Sequence, residues 1–272
     1  MKKLFSSIYL PVFLFCLLTA TGCKKDDHSL IPEPNENQCL ITKITYSGVD
    51  SIVYQYDSQK RLKKAEYAGN GLHEEQYFKE YTYDTKERIV KETFKSTDGV
   101  IYAYFEYAYA ANNLISNIAF YSINEPDESF THQYNKIVEY TDNKLVSKVA
   151  TYQPDNMEKP FRFDVYSYDA SGNVVQIKEY ANTISGEIND VTSDYTYDNK
   201  KNPYLYATYL GIGADVFSKN NVLTEKITYH LSGLTKNYTS TYLYNEQGYP
   251  VKQTLITGTH TAEIEREYTC AN

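Results

Sequence analysis

Short segments in which apolar and polar residues alternate recur throughout residues 40–270. Many of them end in two tyrosines separated by one residue, followed by a turn-forming residue, a polar stretch and an apolar pair. One copy runs from Tyr54 through Asp57 to Leu62. Side chains at positions i and i+2 of a strand share a face, and tyrosine is enriched in strands. Asp and Asn favour turns because their side chains bond the backbone two residues on. Each copy therefore predicts a strand, a turn and a second strand.

The second tyrosine of each copy marks a repeat of nearly constant period. These positions are Tyr56, Tyr83, Tyr109, Tyr140, Tyr168, Tyr197 and Tyr244. Such a period is typical of architectures in which each repeat is one supersecondary unit, and two strands with two turns account for it. The step from Tyr197 to Tyr244 is longer and contains an insertion at residues 199–221.

We predict an all-β fold: an antiparallel up-and-down meander of about 16 strands that forms a soluble, closed or partly open barrel. The segment 211–215 has two glycines, but no helix is predicted after it, and no segment shows helical periodicity over three turns. The strands are expected near 40–46, 51–57, 61–68, 76–84, 88–95, 101–109, 113–121, 132–141, 144–152, 161–168, 173–181, 192–198, 222–230, 237–245, 249–257 and 261–269.

Both faces of the predicted strands carry charged residues. In segment 77–84, three tyrosines share one face with Lys79, whereas Phe78 and Glu80 lie on the other. A transmembrane barrel needs a continuous apolar band facing lipid. The pattern therefore favours a soluble barrel with its tyrosines turned mainly inward, where their rings are buried and their hydroxyls need partners.

The first residues indicate export. Two lysines precede an apolar run from Leu4 to Leu18, which is too short for a membrane span and leads to small residues, as in a signal peptide. Ala20–Cys23 resembles a bacterial lipobox, which implies cleavage before Cys23 and acylation of that cysteine. The predicted organisation is a signal peptide at 1–22, a lipidated tether at 23–38 and a single β domain at 39–272. The alternative at this position is an ordinary signal peptide cut beside a chance cysteine.

The tether contains almost nothing apolar to bury, so we expect it to be flexible. Lys25, Asp26 and Asp27 resemble the surface-export signal of Bacteroidetes lipoproteins. The expected location is the outer membrane, with a lipid anchor at Cys23 and the domain on the cell surface; the periplasmic face is the alternative. The other interpretation of these residues is a charged linker that carries no targeting signal.

The chain is acidic, with a formal net charge of −8, and cleavage after residue 22 removes two lysines and no acid. An acidic surface excludes nucleic acid as a partner, because phosphates require a basic footprint. It also argues against binding of anionic lipid through the protein surface. The membrane is expected as a partner through the lipidated Cys23 alone.

Two cysteines remain after Cys16 leaves with the signal peptide and Cys23 is acylated. Cys39 precedes the first predicted strand and Cys270 follows the last. In a meander with an even number of strands, these positions lie at the same end, and an exported chain meets an oxidising compartment. We predict a disulfide between Cys39 and Cys270; two free thiols are the alternative.

No local pattern of catalytic or metal-binding residues is present. The five histidines, His28, His73, His132, His230 and His260, lack metal-ligand spacing. The chain has no nucleophile elbow, phosphate loop or dinucleotide fingerprint. The repeated Asp57, Asp84, Asp169 and Asp198 are interpreted as turn residues. We therefore predict no catalytic residue, no metal and no cofactor, and a hydrolase would need acids that converge only in three dimensions.

The insertion at 199–221 holds the candidate ligand loop. Long connections within a regular scaffold are often functional. Its aromatic residues could stack against sugar rings, so a glycan is a candidate partner. The alternative, which we favour, is a lid or plug that covers one mouth of the barrel. The candidate ligand residues are Asn202, Tyr204, Tyr206 and Tyr209.

The Tyr-x-Tyr-Asp phrase followed by Arg-Leu or Asn-Val resembles the YD repeats of secreted bacterial shell proteins. With the lipobox and the segment 198–204, the chain is similar to uncharacterised Bacteroidetes lipoproteins with a porin-like fold. The resemblance covers nearly all of residues 40–270, although the insertion and the weak copy at 138–145 depart from strict repetition. It implies the architecture and supplies no catalytic residues. The expected function is an exported, lipid-anchored, non-enzymatic envelope protein that is structural or ligand-binding, with glycan binding and hydrolysis as alternatives.

Overall fold

The structure, a computed structural model, describes residues 39–69, 76–124, 128–206 and 213–270. Sixteen antiparallel strands pair in sequence order, and the first pairs with the last, so the sheet is a closed barrel. The strands are β1 Cys39–Tyr46, β2 Asp50–Tyr56, β3 Leu62–Ala68, β4 Tyr77–Tyr83, β5 Ile89–Ser96, β6 Ile101–Tyr109, β7 Ile115–Asn124, β8 Ser129–Tyr140, β9 Val146–Tyr152, β10 Arg162–Tyr168, β11 Val174–Thr183, β12 Gly186–Tyr197, β13 Val222–Tyr229, β14 Thr235–Tyr244, β15 Pro250–Thr257 and β16 His260–Cys270.

The predicted all-β meander of 16 strands is confirmed, and the barrel is closed rather than partly open. The largest error in the strand bounds is at β12, which begins at Gly186 instead of near residue 192. Residues 186–189 pair with the far end of β11, and a register shift at residue 190 interrupts the alternation of polarity between them and the rest of β12. The expectation that no helix follows Gly213 is wrong, since a single helical turn, α1, spans Ala214–Phe217, and a 3₁₀ helix spans Pro203–Tyr206. One turn is too short to produce a periodic signal.

The repeated phrase forms the turns at one end of the barrel, which we call the turn end. In the turn after β2, the Asp57 carboxylate accepts hydrogen bonds from the backbone N–H groups of Gln59 and Arg61. The residue three positions after the turn opener is left-handed in successive copies, with φ of 62° at Lys60 and 86° at Gly172. Asp84 and Asp169 accept backbone hydrogen bonds in the same way, which confirms that these residues are turn formers.

A ring of eight tyrosines surrounds the turn end, one on each even-numbered strand. Each hydroxyl donates to a backbone carbonyl oxygen near the start of the preceding odd-numbered strand, at 2.5–2.9 Å. Each odd-numbered strand is thereby joined by a side chain to the even-numbered strand that follows it, at the end where no turn connects the two. Each half-buried ring also has its hydroxyl satisfied. The pairs of this tyrosine ring are Tyr56–Ile41, Tyr83–Leu62, Tyr109–Ile89, Tyr140–Ile115, Tyr168–Val146, Tyr197–Val174, Tyr242–Val222 and Tyr268–Pro250.

Inside the barrel, two apolar clusters lie near the turn end on different parts of the wall. One includes Ile44, Leu62 and Ala65, and the other includes Val149 and Val174. A buried ion pair lies between them and the other mouth: Lys79 Nζ is 3.0 Å from Glu92 Oε1. The Tyr107 hydroxyl donates to the other Glu92 oxygen at 2.8 Å. The interior therefore contains a buried ion pair beside its apolar clusters.

The outer face of the barrel carries ion pairs. Because side chains alternate, Glu80 lies on the opposite face to the buried Tyr81, and it pairs with Lys95 at 2.6 Å. Further outward pairs are Lys64–Glu66, Lys91–Glu106, Lys148–Glu139 and Lys252–Glu263. Within the part of the chain that the structure describes, no helix is long and apolar enough to cross a membrane.

A disulfide joins Cys39 to Cys270, the two cysteines that the sequence predicts to pair. The bond links the first residue of β1 to the last residue of β16 at the turn end. These two strands also pair along β1 from Cys39 to Tyr46. The covalent link therefore lies at the seam where the barrel closes.

Candidate functional site

The insertion between β12 and β13 crosses the turn end, and we call its described residues, 199–206 and 213–221, the plug. Its 3₁₀ helix contacts β1, while α1 contacts β11, six strands away around the barrel. Tyr204 packs against one apolar cluster, and Ala214 belongs to the other. The plug therefore contacts both of the apolar clusters that lie inside the barrel near the turn end.

Buried polar side chains fix the plug to itself and to the wall. The Asn202 amide donates to the carbonyl oxygen of Ser218 at 2.7 Å and to that of Asp215. The Ser218 hydroxyl, which is fully buried, accepts from the backbone N–H of Val174 and donates to the Tyr197 hydroxyl, both at 3.0 Å. The plug is thus hydrogen-bonded to the tyrosine ring itself.

A cavity of about 350 Å³ lies between the plug and the inner wall formed by β12–β16. This volume is within the range of small-molecule sites. The plug contributes Asn202, Tyr204, Ala214 and Asp215, and the wall contributes Tyr195, Glu225, Tyr238, Tyr242, Gln253 and Arg266.

Arg266 is the charged centre of this cavity and is only 5% exposed. Its Nε donates to the Tyr204 hydroxyl at 3.1 Å, and its Nη2 donates to Gln253 Oε1 at 2.7 Å. Its guanidinium carbon lies 5.4 Å from the centre of the Tyr204 ring. Among the described residues, Nη1 has no hydrogen-bond partner and no carboxylate lies within 4.0 Å of the guanidinium.

Two carboxyl groups also line the cavity. Burial raises the pKa of Asp215, and the backbone N–H groups of α1 and the charge of Arg266 oppose this shift only in part. Burial likewise raises the pKa of Glu225, with the hydrogen bond from Tyr195 acting against it and the neighbouring Asp215 reinforcing it. Both groups are therefore protonated at a higher pH than ordinary surface carboxyls.

The phenols of the cavity remain donors at neutral pH. Burial raises the pKa of Tyr242 to about 12, and burial also raises the pKa of Tyr195. With the Gln253 amide and the two carboxyl groups, the wall offers donors and acceptors beside aromatic rings. This arrangement can hold a small polar ligand that has both ring faces and hydroxyl groups.

The predicted ligand residues fall in different places. Asn202 and Tyr204 line the cavity, although the Asn202 amide is used to hold the plug. Tyr206 is the last residue of the 3₁₀ helix, and its side chain lies outside the described part of the structure. Tyr209 lies outside the described residues, as do Cys23, His28 and His73.

The sequence reasoning missed Arg266, Glu225 and Gln253. Each lies on a different strand, far from the insertion in sequence, so no local motif connects them. One signal was present: Ile264 and Tyr268 flank Arg266 at i−2 and i+2, which places its side chain on the inner face. A charged residue at an inward position is a candidate for function or for a buried pair.

No metal site is found within the described residues, where no group of three or more His, Cys, Asp or Glu side chains is arranged to hold an ion. His230 instead bonds the Thr192 hydroxyl at 2.8 Å. The turn aspartate of the sixth copy, Asp198, differs from the others because it accepts hydrogen bonds from Asn221 and Tyr244 and so fixes the end of the plug.

These features define a closed 16-stranded barrel with a plug and an internal polar cavity. Two solved structures are similar to it. A porin-like protein from Bacteroides uniformis is 12% identical, with a TM-score of 0.53, over 85% of this chain and 97% of that one. A porin-like protein from Bacteroides vulgatus is also 12% identical with a TM-score of 0.53, over 85% and 99% of the two chains. At this identity the similarity shows a shared porin-like fold. No protein-family model and no curated protein matches the chain.

Proposed function

We propose that the protein is an exported, lipid-anchored barrel of the cell envelope that binds a saccharide in the cavity beside its plug. The observation that carries this proposal is the cavity itself, where tyrosine rings, a buried arginine, an amide and two carboxyl groups converge. Sugars present apolar ring faces and many hydroxyls, so they match walls that combine aromatic rings with donors and acceptors.

The charged outer face favours a barrel whose wall is exposed to water and not to lipid. Ion pairs such as Lys95–Glu80 and Lys252–Glu263 occupy positions where a membrane barrel needs apolar side chains. Attachment to the outer membrane would then come from acylation of Cys23, with the tether at 23–38 as a spacer. Several acyl chains on one cysteine give a firm anchor.

The anchor is tested with a Cys23→Ala variant. The wild-type protein should incorporate a radiolabelled fatty acid and partition into the detergent phase, whereas the variant should do neither. Protease treatment of intact cells distinguishes the cell surface from the periplasmic face. A wild-type protein that carries no fatty acid would remove the anchor from the proposal.

Saccharide binding is tested by applying the purified mature protein to a glycan array. We expect at least one saccharide to be retained, and Tyr204→Ala to abolish that binding because the ring forms part of the cavity wall. Leu205→Ala is the matched control, since Leu205 lies in the same 3₁₀ helix and is not among the described residues that line the cavity. If the array retains no wild-type protein, saccharide binding is ruled out.

Hydrolysis is a second candidate, and one observation favours it: Asp215 and Glu225 line the same cavity and both have a raised pKa. Paired carboxyl groups with unequal surroundings are the usual acid and base of glycoside hydrolysis. The test is prolonged incubation of each bound saccharide with wild type, Asp215→Asn and Glu225→Gln. Shorter products that depend on both acids would establish an enzyme, and intact saccharide would leave the binding function alone.

A further inference from the structure

Arg266 differs in its partners from Lys79, which is one of the other cations on the inner face of the barrel. Lys79 also lies within the barrel, and it has a carboxylate 3.0 Å away in Glu92. Arg266 has a phenol and an amide instead. A buried charge normally requires a partner of opposite charge, because removing it from water costs several kcal/mol.

The carboxyl groups of the cavity do not fill this role. Asp215 is bonded to backbone N–H groups of α1, and Glu225 is bonded to Tyr195. Neither forms an ion pair with Arg266 within the part of the chain that the structure describes. One nitrogen of the guanidinium, Nη1, is therefore left with an unused donor group.

The orientation of Arg266 is fixed in advance. The Tyr204 hydroxyl holds Nε, and Gln253 holds Nη2, while the Gln253 amide in turn donates to the Ser240 hydroxyl at 3.0 Å. A guanidinium held on two sides loses little freedom when it binds a ligand, and its planar donors match a carboxylate. This is the geometry of a preorganised anion site.

We propose that the cavity takes an acidic saccharide, whose carboxylate pairs with the free side of Arg266 while its ring packs against the tyrosines. This inference rests on the proposed saccharide binding and specifies the class of sugar. The carboxylate would supply the negative charge that Arg266 lacks. The hydroxyls of the same sugar would bond Glu225 and Asp215.

The inference is tested by calorimetric titration with two ligands that share their rings and linkages and differ in charge. Oligogalacturonate carries a carboxylate on each sugar, and its fully methyl-esterified form has the same rings and linkages without the charge. We expect the acid to bind the purified mature protein at least about tenfold more tightly than the ester, as charge-assisted bonds are the stronger ones. Arg266→Gln should remove that preference, and Lys252→Gln, on the outer face, should keep it.

Tyr204→Phe provides a second variant in case Arg266→Gln does not fold. It keeps the ring but loses the hydroxyl that orients the guanidinium, so affinity for the acid should fall while affinity for the ester stays unchanged. Circular dichroism reports whether each variant is folded.

The outcomes separate this inference from the proposed function. Equal binding of acid and ester, unchanged in Arg266→Gln or Tyr204→Phe, overturns the anion site and leaves saccharide binding intact. Binding of succinate that depends on Arg266, with no binding of the acid or the ester, supports the anion site and overturns an acidic saccharide as its ligand. Failure of acid, ester and succinate to bind overturns the anion site, and the glycan array then decides the proposed function.

Discussion

The hydroxyl of Tyr83 donates a hydrogen bond of 2.7 Å to the backbone carbonyl oxygen of Leu62. The two residues lie at the ends of adjoining strands, β4 and β3, so this bond closes the strand pair at the turn end. The same relationship recurs around the barrel in the tyrosine ring. The repeated phrase therefore encodes a tertiary hydrogen bond in addition to a turn.

Removing one hydroxyl of the tyrosine ring should lower stability by a small, measurable amount. Tyr83→Phe keeps the aromatic ring and leaves the Leu62 carbonyl without this partner, and such a loss typically costs about 1 kcal/mol. Urea denaturation monitored by circular dichroism measures the change in the free energy of unfolding. The control is Tyr121→Phe, whose ring stacks on Tyr104 away from the tyrosine ring. Equal effects of the two substitutions would show that the bond to Leu62 contributes nothing.

The two faces of the barrel should respond differently to loss of a cation. Lys79→Met leaves the buried Glu92 carboxylate unpaired, which should cost about 3–5 kcal/mol. Lys95→Met breaks the outer pair with Glu80, where water replaces the lost partner, so the cost should be about 1 kcal/mol or less. Chemical denaturation of the two variants gives the comparison. Similar losses would contradict the assignment of Lys79 and Glu92 to the interior.

The turn aspartates should stabilise the protein in their ionised form, which the fold favours. Burial alone raises the pKa of Asp84, but hydrogen bonds from the backbone and side chain of Arg88 outweigh it and hold the pKa below its ordinary value. A carboxyl group with a lowered folded pKa stabilises the protein above its unfolded pKa of about 3.9, and this contribution is lost as the pH falls further.

Asp84→Asn should therefore be less stable than wild type at pH 6, and the difference should shrink below about pH 4. Thermal denaturation at a series of pH values measures it. Asp142→Asn, at an exposed turn position in the copy at 138–145, is the control, and its stability should stay within about 0.5 kcal/mol of wild type because it is a surface substitution. A constant difference between wild type and Asp84→Asn from pH 6 to pH 2 would rule out the charged form as the source of stability.

The disulfide should stabilise the barrel without determining its closure. It joins residues 231 positions apart, and cross-links of this kind typically contribute about 2–4 kcal/mol by restricting the unfolded chain. The Cys39→Ser/Cys270→Ser variant should unfold at lower denaturant, yet keep the far-UV spectrum of the wild type, because β1 and β16 remain paired. A variant that loses its β-sheet spectrum in the absence of denaturant would contradict this.

The strand order could be predicted because its signals are local. Alternation within β4 and the turn chemistry at Asp57 and Asp84 each lie within one repeat. With sixteen such strands in sequence order, the first strand pairs with the last. The tyrosine ring could not be predicted, since each hydroxyl bonds another strand. Its eighth member, Tyr268, is not part of any recognised copy of the phrase.

Of the residues that line the cavity, only those in the insertion could be singled out from the sequence. Asn202 and Tyr204 stood out because they interrupt the repeat, whereas Arg266 and Glu225 lie within ordinary strands. Their meeting depends on how far around the barrel β13 lies from β16, and on where the plug ends. Both are global properties of the closed sheet, so no short motif encodes them.

Calorimetric titration of the saccharide that the array retains most strongly measures directly whether the plugged barrel binds it against Tyr204. The titration compares wild type, Tyr204→Ala and Leu205→Ala. Binding should be lost in Tyr204→Ala and unchanged in Leu205→Ala, because Tyr204 lines the cavity and Leu205 is not among the described residues that do. Equal affinity in all three proteins, with both variants folded, would contradict saccharide binding at Tyr204.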